Sequence, residues 1–367
     1  MKWSWKIARI AGIDVNIHTT FLLLVIFVAI SYGINGGSPA IIVEGVLFLL
    51  ALFACVLFHE FGHAIAARGF GIPTRDITLL PIGGVARLER MPEKPRQELW
   101  VALAGPAVNV VIVAVLFVGL WVTQAFEPFT QLSVTGGNFF ERLLVINIWL
   151  VLFNLIPAFP MDGGRVVRAL LATKLDYVRA TQIAATLGQG LAFLMGLLGL
   201  FGNPALLFIA FFVWIGAAQE ASMVQLKSAM SGIPVNRVML TDFETLSPTD
   251  PLSRPIELLL AGSQRDFPVV ANANLVGILT RDDLIQALTT HKETLLVSYV
   301  MQKQFEVIDS SEMLDDLSLK LQAIKQSILP VVHNGNLVGM VTMENVGEFM
   351  MIQNALKARN ETRNAIA

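Results

Sequence analysis

The chain holds a single cysteine, Cys55, so no disulfide can close within it and the fold stands without covalent staples. Charge is scarce. Asp, Glu, Lys and Arg make up 15% of the 367 residues, against about 25% in ordinary soluble domains. The net charge is −2, and no basic stripe with interleaved aromatics runs along the sequence, which argues against a nucleic-acid partner. No small-residue cleavage site follows the first apolar run, so Lys2, Lys6 and Arg9 read as the lead-in to a retained span rather than as a signal peptide. What fills the chain instead is hydrocarbon. Hydrophobic residues account for 54% and mean hydropathy is +0.64, too apolar for a soluble domain of this length. Cys55 itself reads as one more small buried residue, with a metal-facing thiol as the alternative.

The excess is uneven. Residues 1–230 hold almost all the long apolar runs, and residues 231–367 have the composition of a soluble unit. The expected architecture is a multi-pass α-helical membrane domain of about six transmembrane helices, near 15–34, 41–67, 99–123, 143–158, 180–200 and 203–222. An α+β unit follows. From the N-terminus to the fifth connection, Lys and Arg number 3, 0, 6, 1, 4 and 0. That alternation puts both termini, the 68–98 loop and the 163–179 loop on the cytoplasmic side of a plasma or inner membrane. Within the first of these loops, 77–88 is apolar and β-prone around Gly83-Gly84, as a re-entrant hairpin at the interface would be; a surface loop with an apolar patch is the alternative.

Five residues stand out against this background: His59-Glu60-Phe61-Gly62-His63. Carboxylate and imidazole are costly in hydrocarbon, and where they occur in a span they usually face an interior site. At i and i+4, His59 and His63 share one helix face one turn apart, as two ligands of one metal would. Glu60 follows the first, where a general base for a metal-activated water belongs. A catalytic zinc site usually takes three protein ligands. The candidate third is Asp162, in Asn154-Leu-Ile-Pro-Ala-Phe-Pro-Met-Asp162-Gly163-Gly164. Pro157 and Pro160 break the fourth span and the glycines allow a tight turn, so the carboxylate can bend toward a neighbouring span. A turn or helix-cap aspartate is the alternative. Asn154, on the same broken span, can donate to the substrate backbone or to a developing oxyanion; equally, it can satisfy backbone freed near Pro157. His18 opens the first span as an interface residue, and His291 and His333 are given no metal role.

The second part repeats itself. Residues 267–277 and 329–339 are identical at eight of eleven positions at an offset of 62. Each copy reads helix, strand, Asn/Gly turn, strand, helix, and two such units are expected to pair about a pseudo-two-fold axis.

The His59-Glu-Phe-Gly-His63 motif, Gly105-Pro106 with Asn109, and the Asn154-to-Gly163 run together resemble the site-2 protease family of intramembrane zinc metalloproteases, across residues 1–230. The resemblance implies one catalytic Zn²⁺ on His59, His63 and Asp162, Glu60 as base, and a transmembrane protein as substrate, cut within the lipid bilayer. The repeat resembles a tandem CBS pair, with domains at 231–296 and 297–356 and a tail at 357–367. In that module, Thr280 and Asp283 match residues that contact the ribose of an adenine nucleotide, ATP or AMP. The second copy has Thr342 and Asn345, and loses the carboxylate. A pair that only forms a homodimer is the alternative. The implied protein is a CBS-regulated intramembrane endopeptidase. A CBS-gated transporter or channel, and a catalytically silent membrane binding protein, are the rivals.

Overall fold

Two short strands precede the first helix. In the computed structural model, which describes residues 3–34, 36–89, 92, 94–124, 138–290, 295–314 and 327–366, β1 (Ser4–Ile10) and β2 (Ile13–His18) form an antiparallel hairpin. The span expected from residue 15 therefore begins later, at Thr19. Ile13 and Val15 are buried while Asp14 and Asn16 are partly exposed. That two-residue period belongs to a strand with one face in a core, not to a span.

The chain divides into two units, Met1–Val224 and Gln225–Ala367. The first continues through α1 (Thr19–Ile34), α2 (Pro39–Gly69), β3 (Thr74–Leu80), β4 (Gly83–Leu88), α3 (Pro95–Val122), α4 (Phe139–Asn154), α5 (Asp162–Leu171), α6 (Tyr177–Phe201) and α7 (Ala205–Met230). Proline in the first turn starts α2 and α3, where its missing N–H has no helical partner to lose. Asn138 starts α4 through a capping box with Glu141. Helices α2, α3, α6 and α7 are long and apolar enough to cross a membrane. In α2 and α7, only 17% of the most apolar stretch is buried by protein. An apolar surface left that bare by its own fold needs lipid around it. Helices α1 and α4 are apolar but shorter, with 16 residues each. Residues 163–171, expected as loop, belong to α5.

The 77–88 segment is a hairpin. It joins the N-terminal strands in a four-stranded sheet of order β1-β2-β3-β4, with β2 and β3 parallel. Ile13, Val15 and Ile77 pack on Phe61 and Ala64 of α2. This core lays the sheet directly against the His59–His63 turn.

The second unit has two hairpins, β5–β6 (Phe267–Ala271, Asn274–Leu279) and β8–β9 (Ile328–His333, Asn336–Thr342), the latter extended by β7 (Ile308–Asp309). Both turns are two residues long with positive φ, at Asn272-Ala273 and Asn334-Gly335, as the twist of a hairpin favours. The copies exchange their leading segments. Leu240 pairs with Met340 of the second hairpin, and Gln302, 62 residues later, pairs with Ile278 of the first. Val235 N–H donates to the Glu312 carbonyl, and Val297 N–H donates to that of Asp250, at the same offset. The cores follow suit: Val235 and Val238 lie with Ile308, Leu329 and Val341, and Val297 lies with Leu246, Phe267 and Leu279. The first residues of each repeat thus pack on the other repeat's sheet. Residues 357–366 continue the terminal helix Met343–Ile366.

Candidate metal centre

The site is built where three helices cross. On α2, His59 and His63 lie one turn apart and are both buried. Helix α3 crosses above them at Gly105. A methyl group there would stand 2.7 Å from His59 Nε2 and nearer still to His63, so only glycine lets α3 approach. Gly62 does the same from below: its added carbon would meet the Ala104 carbonyl oxygen at 2.7 Å. Proximity has a purpose, because α3 holds both imidazoles from behind. His63 Nδ1 lies 2.7 Å from the Val101 carbonyl oxygen, and His59 Nδ1 lies 2.5 Å from Asn109 Oδ1. Asn109 Nδ2 donates to Asn147 Oδ1 of α4 at 2.8 Å, and Asn147 Nδ2 donates to the Leu143 carbonyl at 2.8 Å. Asn109 and Asn147 are fully buried.

These bonds fix the tautomer. Each Nδ1 faces a carbonyl oxygen and so carries the proton, which leaves each Nε2 with a bare lone pair. The two Nε2 atoms are 3.1 Å apart. Asp162 Oδ2 lies 3.2 Å from His59 Nε2 and 3.1 Å from His63 Nε2. Asp162 opens α5, just past Pro157 and Pro160, and is itself buried. With both imidazoles neutral, three electron-pair donors converge in one buried space, and Oδ2 has no hydrogen-bond partner. Only a cation makes that arrangement favourable. Two imidazoles and one carboxylate, each offering one atom, are a donor set that suits zinc. Among the described residues this is the one His/Cys/Asp/Glu cluster of three or more able to hold a metal.

Glu60 meets the sheet. Its Oε2 accepts from Ala86 N–H of β4 at 3.2 Å. The Gly84 backbone lies so close that an added Cβ would stand 2.7 Å from Glu60 Cγ. The hairpin therefore aims the carboxylate.

The remaining expected residues lie as follows. Asn154 ends α4 and spends one amide hydrogen on the Leu150 carbonyl at 2.9 Å. Cys55 is buried. His18 Nδ1 lies 2.8 Å from Thr20 Oγ1 at the start of α1. His291 falls outside the described residues, and His333 Nδ1 contacts Ser310 Oγ at 3.0 Å. In the repeats, Thr280 Oγ1 donates to Asp283 Oδ2 at 2.5 Å and accepts from Asp283 N–H at 3.2 Å. Thr342 and Asn345 make the same pair, at 2.6 and 3.2 Å. Each threonine caps the helix that follows it. Gln302 adds a donor to Asp283 Oδ2 at 2.7 Å.

Sequence reasoning assigned no role to Asn109, Asn147 or the Val101 carbonyl. The signal for Asn109 was its place one turn past Gly105. Asn147, alone in an apolar span, carried the same warning as the histidines.

The chain matches the model of peptidase family M50 over residues 47–136 and 130–197, and the CBS domain model over 235–290 and 297–351. It is 33% identical to a zinc metalloprotease of Methanocaldococcus jannaschii over 353 residues, covering 96% of this chain and 97% of that protein. It is 29% identical to stage IV sporulation protein FB of Bacillus subtilis over 157 residues, covering 42% of this chain and 51% of that one. Among solved structures, the site-2 protease from M. jannaschii is 37% identical, with 60% of this chain and 95% of that chain covered and a TM-score of 0.45. The transporter alternative gives way to this kinship. The chain belongs to peptidase family M50, the site-2 protease family, and is a zinc metalloprotease of the membrane that carries a tandem pair of CBS domains.

Proposed function

We propose that the protein is an intramembrane endopeptidase that hydrolyses peptide bonds in or near transmembrane segments of other membrane proteins. The observation that carries this reading is the meeting of His59, His63 and Asp162, from helices far apart in sequence, around one buried space in a bundle that includes four helices long and apolar enough to cross a membrane. These three residues would hold the ion. When bound, zinc supplies Lewis acidity toward a scissile carbonyl and an attacking water. Glu60 accepts the proton of that water on the oxygen that β4 does not hold, and delivers it to the leaving amine. Asn154 keeps a second amide hydrogen for the substrate backbone or the developing oxyanion.

A helical substrate must unwind before its carbonyl is accessible, because its backbone is locked in its own hydrogen bonds. The outer edge of β4 has no neighbouring strand among the described residues; Glu60 takes its Ala86 N–H, and an unwound strand can pair along the rest of that edge. Both termini and the repeats are read as cytoplasmic, in a plasma or inner membrane, from the basic residues of the connections. The repeats are read as a regulatory unit that binds ATP or AMP. Asp283, with the carboxylate that Asn345 lacks, makes the first copy the better ribose site. A homodimer through the repeats is the competing role.

Glu60→Gln tests the reading. The variant keeps its zinc and loses cleavage of a membrane substrate. Full proteolysis by this variant refutes the assigned base.

A further inference from the structure

Away from the metal, the bundle buries a second charged cluster that the proposed chemistry does not use. Arg168 is 0% exposed and Glu98 is 3% exposed. Arg168 Nε donates to Glu98 Oε1 of α3 at 2.7 Å, and Nη2 lies 2.6 Å from the same oxygen. Its Nη1 donates to Glu220 Oε1 of α7 at 2.6 Å. The guanidinium lies over the rings of Phe159, in the segment before α5, and Tyr177 of α6, at 4.9 and 5.0 Å from their centroids. Tyr177 OH also faces Glu98, at 3.5 Å.

A buried ion cluster is weak as a source of stability, because desolvation offsets most of the attraction. Its contribution lies in direction. The guanidinium is a rigid planar fork, and two carboxylates and two rings leave it one orientation. Arg168 shares α5 with Asp162, less than two turns further along. The first turn of α5 has no side-chain cap and rests through Gly163 and Gly164 on the backbone of residues 155–159; Arg168 gives the helix a second fixed point further along. Glu98 shares α3 with Val101 and Asn109, which hold the two imidazoles from behind. The Arg168–Glu98 contact therefore joins the element carrying the third ligand to the element holding the first two.

We propose that Arg168, gripped by Glu98 and Glu220, is the positioning residue of the metal centre and sets where the Asp162 carboxylate meets His59 and His63. This rests on reading those three residues as the zinc ligands.

The test uses the full chain in detergent, with zinc affinity measured by competition against a chelator. The visible spectrum of the Co²⁺-substituted protein reports the ligand field. Three variants serve: Arg168→Lys, which keeps the charge but not the fork; Glu220→Gln, at the most exposed member of the cluster; and the apolar triple variant Glu98→Leu, Arg168→Met, Glu220→Leu. Replacing a buried ion cluster with apolar residues is often neutral for stability, so the triple variant is expected to keep wild-type helicity and melting behaviour. Outer-sphere partners typically contribute about 10- to 100-fold in metal affinity. Zinc binding about ten-fold weaker or worse in the variants, with shifted Co²⁺ bands and an intact fold, supports the proposal. Wild-type affinity and an unchanged spectrum in Arg168→Lys and Glu220→Gln overturn it, whether or not the triple variant folds. Failure of the wild-type chain to bind zinc overturns the ligand assignment itself, and the proposal with it.

Discussion

Gly105→Ala separates the metal centre from the fold that carries it. The added methyl would stand 2.7 Å from His59 Nε2, where ordinary contact begins at 3.4 Å, and His63 Nε2 is nearer still. Helix α3 must withdraw by about 0.7 Å or more, or the imidazoles must turn. Either response strains the bonds from His63 to Val101 and from His59 to Asn109, since both acceptors ride on α3. A displacement of about 1 Å at a reacting centre can lower the rate by about 100-fold. Stability moves far less. Crowding costs about 1–3 kcal/mol, and alanine in place of glycine returns about 1 kcal/mol of helix propensity. The variant is therefore expected to fold with nearly wild-type helicity while cleaving a membrane substrate about 100-fold more slowly and releasing zinc more readily. Gly119→Ala is the control on the same helix. Its added Cβ meets nothing within 4 Å, so it should be fully active and slightly more stable. Activity and zinc retention at wild-type levels in Gly105→Ala would refute the close crossing on which the site depends.

Two further outcomes follow from the hydrogen bonds. Asn109→Ala leaves His59 Nδ1–H and Asn147 Oδ1 buried without partners. It should lower stability by about 1–3 kcal/mol and zinc affinity by about 10- to 100-fold, read by thermal unfolding and by chelator competition; an unchanged affinity removes the orienting role. In the repeats, ATP or AMP should bind the full chain, with Asp283→Ala weakening that binding more than Asn345→Ala does. Calorimetry that finds no heat with either nucleotide rejects nucleotide sensing.

The candidate ligand set was readable because each part leaves a local trace. Two histidines four apart share a helix face, and an aspartate just past two prolines and before two glycines sits where a helix has to restart. The start of the first span was misjudged because Ile13, Val15 and Ile17 are as apolar as the helix they adjoin. Only their alternation with Asp14 and Asn16 marks the strand. The short helix α5 was hidden for the opposite reason: its sequence is polar enough to pass for a loop, and its apolar face shows only when packed. The Arg168 cluster could not be read at all. Its partners lie 70 and 52 residues away, and nothing local distinguishes a buried arginine from a cytoplasmic one; the basic count of that segment even included it. The repeat was plain at its offset of 62, but a repeat does not say which copy each leading segment pairs with. That choice is made by tertiary contacts of Leu240 and Gln302.

The most direct test is the metal content of the purified, folded protein. The account predicts one tightly held zinc per chain after dialysis, retained in Glu60→Gln and lost in Asp162→Ala with helicity intact. Proteolytically active material that contains no zinc, or an Asp162→Ala variant that holds the ion as firmly as the parent chain, would contradict it.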